Sequence, residues 1–383
     1  MNAPAPLQPH SEALKRALAP LQRARSMPSV LYTSPEIFAL EREALFLKHW
    51  FFLCRDEQLP DAGDYRTFDT PGGPVLLVRG QDKVLRCFAN VCRHRGSLLL
   101  KGSGNCGARI MCPYHAWSYF SDGRLYGCPD MADAEGFDRR ENGLVPLRLD
   151  SWAGFVFANF AAEPKPLLDH LGDLPRRFAS HRMDAMRCVW SVTLTPRCNW
   201  KLILENAMET YHTGTVHRDT VGAQTQRDIP TTGNWLCMQV LSRRSIATMG
   251  ADTPPLPAIE GLDADAREGT YFTVIHPTVQ FAVAQDCMWW LNVTPVNEGL
   301  SVLEIGGCFP ASSLKLPGFA ANRRLYEHRW EAVGREDVGV LEDQQKALGS
   351  VLFRPGPLSG RDDKVQQVGA WNLAQMGVEG WTI

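Results

Sequence analysis

What most constrains this chain is a twice-used pairing of one cysteine with one histidine inside "CRHRGSLLLKGSGNCGARIMCPYHAW", residues 92–117. Cys92 and His94 form one arm, C-x-H; Cys112 and His115 form the other, C-x-x-H. Gly102, Gly104 and Gly107 lie between the arms, and Gly96 and Pro113 stand beside the ligands as turn residues. Two thiols and two imidazoles this close together point to a metal. A structural zinc finger groups its cysteines in one pair and its histidines in another, C-x2–4-C followed by H-x3–5-H. Here each arm carries one of each kind.

Mixed arms match the ligand set of a Rieske [2Fe–2S] cluster, in which one iron is held by two Cys and the other by two His. Each loop then supplies one ligand to each iron. Neutral imidazoles in place of two thiolates make the cluster easier to reduce, at roughly −150 to +300 mV against about −400 mV for plant-type ferredoxins. Arg93 and Arg95 add positive charge beside it, while Cys106 and Cys128, with no neighbouring His, are bystanders. The other cysteines are isolated in apolar surroundings and read as small buried residues of a reducing compartment.

The 383 residues carry 40 Lys and Arg against 42 Asp and Glu, a formal charge of −2, which gives no support for nucleic-acid or membrane-surface binding. Residues 1–26 hold no apolar run of signal-peptide type, and no stretch reaches the roughly 18–20 apolar residues of a membrane span. A cytoplasmic protein is expected.

Apolar spacing after Ser34-Pro35 predicts a helix over 34–48. "DYRTFDT", "GPVLLVRG" and "KVLRCFAN" read as hairpin strands, and "SWAGFVFANF" (151–160) as one more strand closing a small all-β unit. After the Pro-rich boundary at 162–166 come a helical "PLLDHLGDLPRRF", strand-like runs around 234–247, 270–284, 288–296 and 301–309, and helices at about 318–349. Residues 250–268 read as a long exposed loop. The expected architecture is α+β. An N-terminal segment, 1–42, packs on the second domain; a β-rich metal domain spans 43–160; and an α+β domain with a large antiparallel sheet spans 161–383.

An electron carrier could stop at residue 160, whereas this chain continues into "NWKLILENAMETYHTGTVH", residues 199–217. His212 and His217 are five apart, which on a straight helix leaves the second about 140° round from the first. Gly214 between them offers a place to unwind. Two His and one carboxylate with open positions form the facial triad of a non-haem Fe(II) oxygenase. The carboxylate must come from elsewhere, and "REDVGVLEDQQKALGS" (335–350), an acidic amphipathic helix, is the best candidate stretch.

Taken together, "CRHRG", "CPYHAW", "NWKLILEN", "YHTGTVH" and "EDVGVLEDQQKAL" give a chain that resembles, from about residue 30 to 375, the catalytic α subunit of Rieske non-haem iron oxygenases. That superfamily hydroxylates aromatic rings and removes N- or O-methyl groups. The resemblance implies a helix-grip-like catalytic domain, a [2Fe–2S] cluster and a mononuclear Fe(II). It makes Asp337 the third iron ligand, with Asp343 as the other candidate. Glu209, three before the first His ligand where ring-hydroxylating members usually carry Asp, becomes the bridge from a cluster histidine of the neighbouring subunit to His212. A head-to-tail homotrimer with cross-subunit electron transfer follows. Asn199 is expected to orient the iron shell, or simply to cap its helix.

No G-x-G-x-x-G follows a strand, so electrons from NAD(P)H are expected through a separate flavin/iron–sulfur reductase, with or without a ferredoxin, and O2 is the co-substrate. Glu209 and the style of the cluster loops resemble the branch acting on quaternary ammonium compounds; aromatic or heteroaromatic ring hydroxylation and O-demethylation are the alternatives. A quaternary cation asks for an aromatic cage, for which Trp235, Tyr271, Phe281 and Trp289 are the candidates, with Phe272 and Trp290 beside them. Adjacent Trp289 and Trp290 must face opposite sides of their strand. Outside this family, the candidates are a Rieske electron carrier and a structural zinc protein.

Overall fold

A computed structural model describes residues 3–249 and 256–378. The chain divides into two compact units, Leu47–Leu167 and Met1–Phe46 with Leu168–Ile383, so the boundaries fall later than the expected 43 and 160.

The smaller unit is all β. Its strands are β1 (Phe51–Arg55), β2 (Asp64–Phe68), β3 (Val75–Arg79), β4 (Leu85–Ala89), β5 (Ser103–Asn105), β6 (Arg109–Met111), β7 (Ser118–Phe120), β8 (Leu125–Gly127), β9 (Pro146–Trp152) and β10 (Phe155–Asn159). Seven form a sheet in the order β1-β10-β9-β4-β3-β2-β5, and β6-β7-β8 form a second. The stretch expected as a single strand at 151–160 is a hairpin, because Ala153 and Gly154 both adopt positive φ (49° and 83°) and reverse the chain. Buried Arg55 holds that turn. Its guanidinium donates to the Ala153 carbonyl at 2.6 Å and lies 4.5 Å from the Phe155 ring centre.

The larger unit is built on one seven-stranded antiparallel sheet in the order β11-β17-β16-β15-β14-β13-β12. These strands are β11 (Met186–Leu194), β12 (Gln226–Ile229), β13 (Trp235–Leu241), β14 (Gly269–Ile275), β15 (Val279–Val283), β16 (Met288–Asn297) and β17 (Leu300–Pro310). The run expected at 270–284 is therefore two strands, turned at His276–Pro277. Part of the loop expected at 250–268 lies outside the described residues; 256–265 carries no helix or strand.

Register puts Met238, Phe272, Ala282, Trp289 and Gly307 in one row across five strands, on one face. Phe281, Trp290 and Gly306 form the neighbouring row on the opposite face. Two consecutive glycines are required here for space: a Cβ on Gly306 would strike the Trp290 ring, and one on Gly307 the Trp330 ring.

Helices cover the first face. The helix expected at 34–48 is α-helical only over α1 (Pro35–Glu41), with Ser34 Oγ accepting from the Ile37 N–H as N-cap; a wider π turn over Arg42–Phe46 carries Ala44, Leu45 and Phe46 into the core together. Further on lie α2 (Trp200–Asn206), α3 (Thr213–Val216) and α4 (Phe319–Leu348). No helix among the described residues is long and apolar enough to cross a membrane.

Polar groups on α2 are buried and therefore paired. Lys201 forms an ion pair with Glu41 of α1, and Glu205 accepts the Tyr32 hydroxyl at 2.9 Å. Burial pushes the Glu205 carboxyl up to about 7, against the opposing pull of the Tyr32 hydrogen bond and the Lys201 charge. Its folded pKa is thus raised above the ordinary carboxylate value. Between about pH 4.5 and 7 the folded state holds a proton that the unfolded chain has lost, and stability falls as pH rises. Glu205→Gln should remove this penalty: the melting temperature of the variant minus that of wild type should climb from pH 5 to pH 8 in thermal unfolding scans. A pH-independent difference would show that the carboxyl is not raised.

Candidate active site

In the β-rich unit, Cys92 and Cys112 occupy two loops with the same backbone plan. Cys92 N–H donates to Ser97 O (2.8 Å) and Gly96 N–H to Cys92 O (3.0 Å); Cys112 N–H donates to Trp117 O (2.7 Å) and Ala116 N–H to Cys112 O (3.2 Å). Each loop closes with a left-handed residue four after its cysteine, Gly96 at φ 74° and Ala116 at φ 56°. Both sulfurs are buried, at 3% and 2% exposure, while His94 and His115 are partly exposed with ring centres 4.8 Å apart. The His94 ring stacks on Trp117, and its Nδ1 is buried without a partner among the described residues. Inner sulfurs, outer imidazoles and an orphaned ring nitrogen fit a [2Fe–2S] cluster with its histidine-bound iron outermost. The hydroxyl of Tyr119, accepting from the Arg93 N–H at 3.0 Å, is 3.3 Å from Cys92 Sγ and so has its proton free for that sulfur.

In the larger unit, α2 ends at Asn206 and the chain unwinds over 207–211. His212 and His217 then bracket the single turn of α3 as its N- and C-caps. The break lies before the first histidine, not at Gly214, which is inside α3 and gives room for close approach: a Cβ there would sit 3.3 Å from that of Ala223. The two rings are 5.0 Å apart at 74°. Asp337, from the middle of α4, points between them, with Oδ1 at 3.1 Å from His217 Nε2 and 3.7 Å from His212 Nε2.

Ligand atoms of His212, His217 and Asp337 all lie within 4.8 Å of one another. Asp337 Oδ1 is buried and has no hydrogen-bond donor. Each histidine turns its other nitrogen to a carboxylate: His212 Nδ1 is 2.5 Å from Glu209 Oε1, and His217 Nδ1 is 2.7 Å from Glu336 Oε2. Such pairs fix the tautomer that aims a neutral Nε2 at a metal. The donor set and the orphaned oxygen fit one Fe(II) with open positions. Burial opposes charging His217, but Asp337 and Glu336 outweigh it, so its pKa is raised.

Glu336 was not anticipated; its partner is 119 residues away, and only its place beside Asp337 hinted at a role. Asp343 is exposed and outside the cluster. Asn199 is not in the iron shell. It is the N-cap of α2, accepting from Lys201 N–H and donating to Glu298 O at 2.9 Å, while its own N–H is held by Gln345 Oε1.

A cavity of about 90 Å³ opens on the triad, bounded by Phe272, Trp289, Trp330 and Arg329 as well as Glu209 and Asp337. Of the four aromatic candidates, Trp289 belongs to the cavity face. Phe281 borders the cavity from the row whose side chains face away. Trp235 and Tyr271 do not line it: both pack on Phe178 on the far face, with Trp235 Nε1 donating to Asp173 Oδ1 at 3.1 Å.

Two matching Cys/His loops in one unit, and a two-histidine, one-aspartate triad opening on a cavity in the other, give the chain two candidate iron sites of different ligand chemistry. Residues 49–142 match the Rieske [2Fe-2S] domain, and 178–377 match the catalytic domain of the ring-hydroxylating alpha subunit. The chain belongs to the Rieske-type ring-hydroxylating oxygenase α-subunit family, whose members carry both a [2Fe–2S] and a mononuclear iron centre. It is 38% identical to the carnitine monooxygenase oxygenase subunit of Escherichia coli (strain K12) over 87% of each chain. To the glycine betaine monooxygenase oxygenase subunit of Chromohalobacter salexigens it is 34% identical, over 92% of this chain and 86% of that one. The chain spans about half the length (53%) of the Acinetobacter pittii carnitine monooxygenase oxygenase subunit that it matches at 39% identity. The solved structure of a quaternary ammonium Rieske monooxygenase, described with inter-subunit electron transfer, superposes with a TM-score of 0.82 at 27% identity, covering 94% of this chain and 98% of that one.

Asp337→Ala should lose the mononuclear iron while keeping the visible absorption of the cluster. Glu336→Gln should retain all ligands but weaken iron about 10–100-fold, read by iron titration of the apo-site; unchanged affinity in Glu336→Gln would deny it an orienting role.

Proposed function

We propose that this chain is the terminal oxygenase of a multicomponent system that hydroxylates a quaternary ammonium compound of the betaine type, at an N-methyl group or an adjacent carbon. An N-hydroxymethyl product releases formaldehyde and leaves the tertiary amine. The carrying observation is the cavity itself: aromatic walls from Phe272, Trp289 and Trp330 meet the carboxylates Glu209 and Asp337 at the triad. A quaternary cation has no hydrogen-bond donor, and aromatic faces with nearby negative charge are the chemistry that holds it. Relatives acting on carnitine and glycine betaine support the same reading.

The bound irons supply one-electron storage and O2 activation. The protein supplies the rest. His212, His217 and Asp337, whose ligand atoms cluster at the edge of the cavity, would hold the iron that supplies this chemistry. Glu209 and Glu336 accept the Nδ1 protons and hold both rings in register. Glu209, on the part-buried turn before His212, bridges to His115 of a neighbouring subunit in a head-to-tail homotrimer. A flavin/iron–sulfur reductase delivers electrons from NAD(P)H in the cytoplasm.

With a reductase and NAD(P)H, the holoenzyme should release from betaine-type substrates either formaldehyde (N-methyl hydroxylation) or the amine with an aldehyde (adjacent-carbon hydroxylation), in proportion to O2 consumed. Glu209→Gln, assayed with the iron site saturated, should keep the cluster absorption yet lose most turnover. Oxidation of an arene with no formaldehyde from any methylammonium compound would overturn the assignment in favour of ring hydroxylation.

A further inference from the structure

Arg329 is an anomaly in a cavity expected to hold a cation. It lies on α4, lines the cavity, and is only 4% exposed. Burial opposes its charge and lowers its pKa to about 10, which still leaves it a cation at neutral pH; Asp337 and Glu336 act in the opposite sense. The guanidinium stands 4.9 Å from the Trp289 ring centre, and Nε donates to Ile246 O at 3.0 Å. Among the described residues no carboxylate pairs with it, and neither terminal nitrogen has a hydrogen-bond partner. A buried charge without a counter-ion is costly, and this one keeps the forked edge of its guanidinium free.

We propose that Arg329 is the specificity-determining residue for a carboxylate on the substrate, gripping it through both terminal nitrogens. This rests on the quaternary-ammonium reading for the other end of the molecule. The cavity is then bipolar. Glu209 and Asp337 make the iron end negative, and Arg329 makes another wall positive, separated along α4 from Asp337 by eight residues or about 12 Å of helix axis. A zwitterion satisfies both ends, whereas a cation lacking the carboxylate leaves Arg329 unpaired and meets its repulsion. Stacking on Trp289 and the Ile246 hydrogen bond fix the plane of the fork, so that bidentate capture needs little reordering.

The test is calorimetric binding to the oxidised holoenzyme, without turnover, using γ-butyrobetaine, its methyl ester, choline and benzoate. Wild type should favour γ-butyrobetaine over the ester and choline. Arg329→Gln should weaken γ-butyrobetaine about 10–100-fold while leaving the ester and choline unchanged or tighter, with Arg329→Lys in between. Melting temperature and cluster absorption check that each variant is folded. Equal losses for γ-butyrobetaine and its ester, or wild-type preference for choline, would overturn the clamp. If wild type binds no ammonium compound but binds benzoate in an Arg329-dependent way, the clamp stands and the quaternary-ammonium reading fails.

Discussion

The larger unit depends on two imidazoles being tied down from behind. His212 and His217 each surrender Nδ1 to a carboxylate, Glu209 or Glu336, and so present Nε2 toward Asp337. Neither carboxylate is an optional ornament, because a free imidazole could adopt either tautomer and several ring orientations. Their origins explain the local backbone. Glu209 sits on the unwound turn that lets two histidines five apart converge, and its second oxygen accepts the backbone N–H groups of Tyr211 and His212. Glu336 and Asp337 are neighbours on α4, so one helix sets both the carboxylate between the two histidines and the one that holds His217 from behind.

The long helix has to be held at the correct height for this to work. Glu342 and Gln345 do so from its C-terminal half, accepting the backbone N–H groups of Arg197 and Asn199, while Gln345 also donates to Tyr32 O. At the N-terminal half, Trp330 seats on Gly307, where no side chain intervenes. The cavity is the space left between that helix and the row Met238, Phe272, Trp289. Its aromatic lining is a consequence of how closely α4 can approach a strand with consecutive glycines.

Much of this was legible in the sequence where the signal is local. The cluster loops need four ligands within 24 positions, and the spacing alone distinguished their chemistry from zinc. The His212/His217 pair was equally plain, although where the chain unwinds was not, because any of several residues could break a short helix. Strand faces were not legible. On β13, β14 and β15 both faces are buried, which erases the alternation of polar and apolar residues that would reveal which way Trp235, Tyr271 and Phe281 point. Glu336 and Arg329 were hidden for another reason: charged residues on a helix usually read as a solvated face, and only the packing of α4 against the sheet places them otherwise.

The most direct test of the central claim is a single turnover. Protein with both iron centres loaded and the cluster chemically reduced is mixed with O2 and γ-butyrobetaine, with no reductase present, and formaldehyde and released trimethylamine are measured as the cluster absorption recovers. The account predicts formaldehyde or trimethylamine in stoichiometric proportion to the clusters reoxidised, with substrate accelerating that reoxidation. Reoxidation at the same rate with and without substrate, and no oxygenated product, would describe an electron carrier and contradict it.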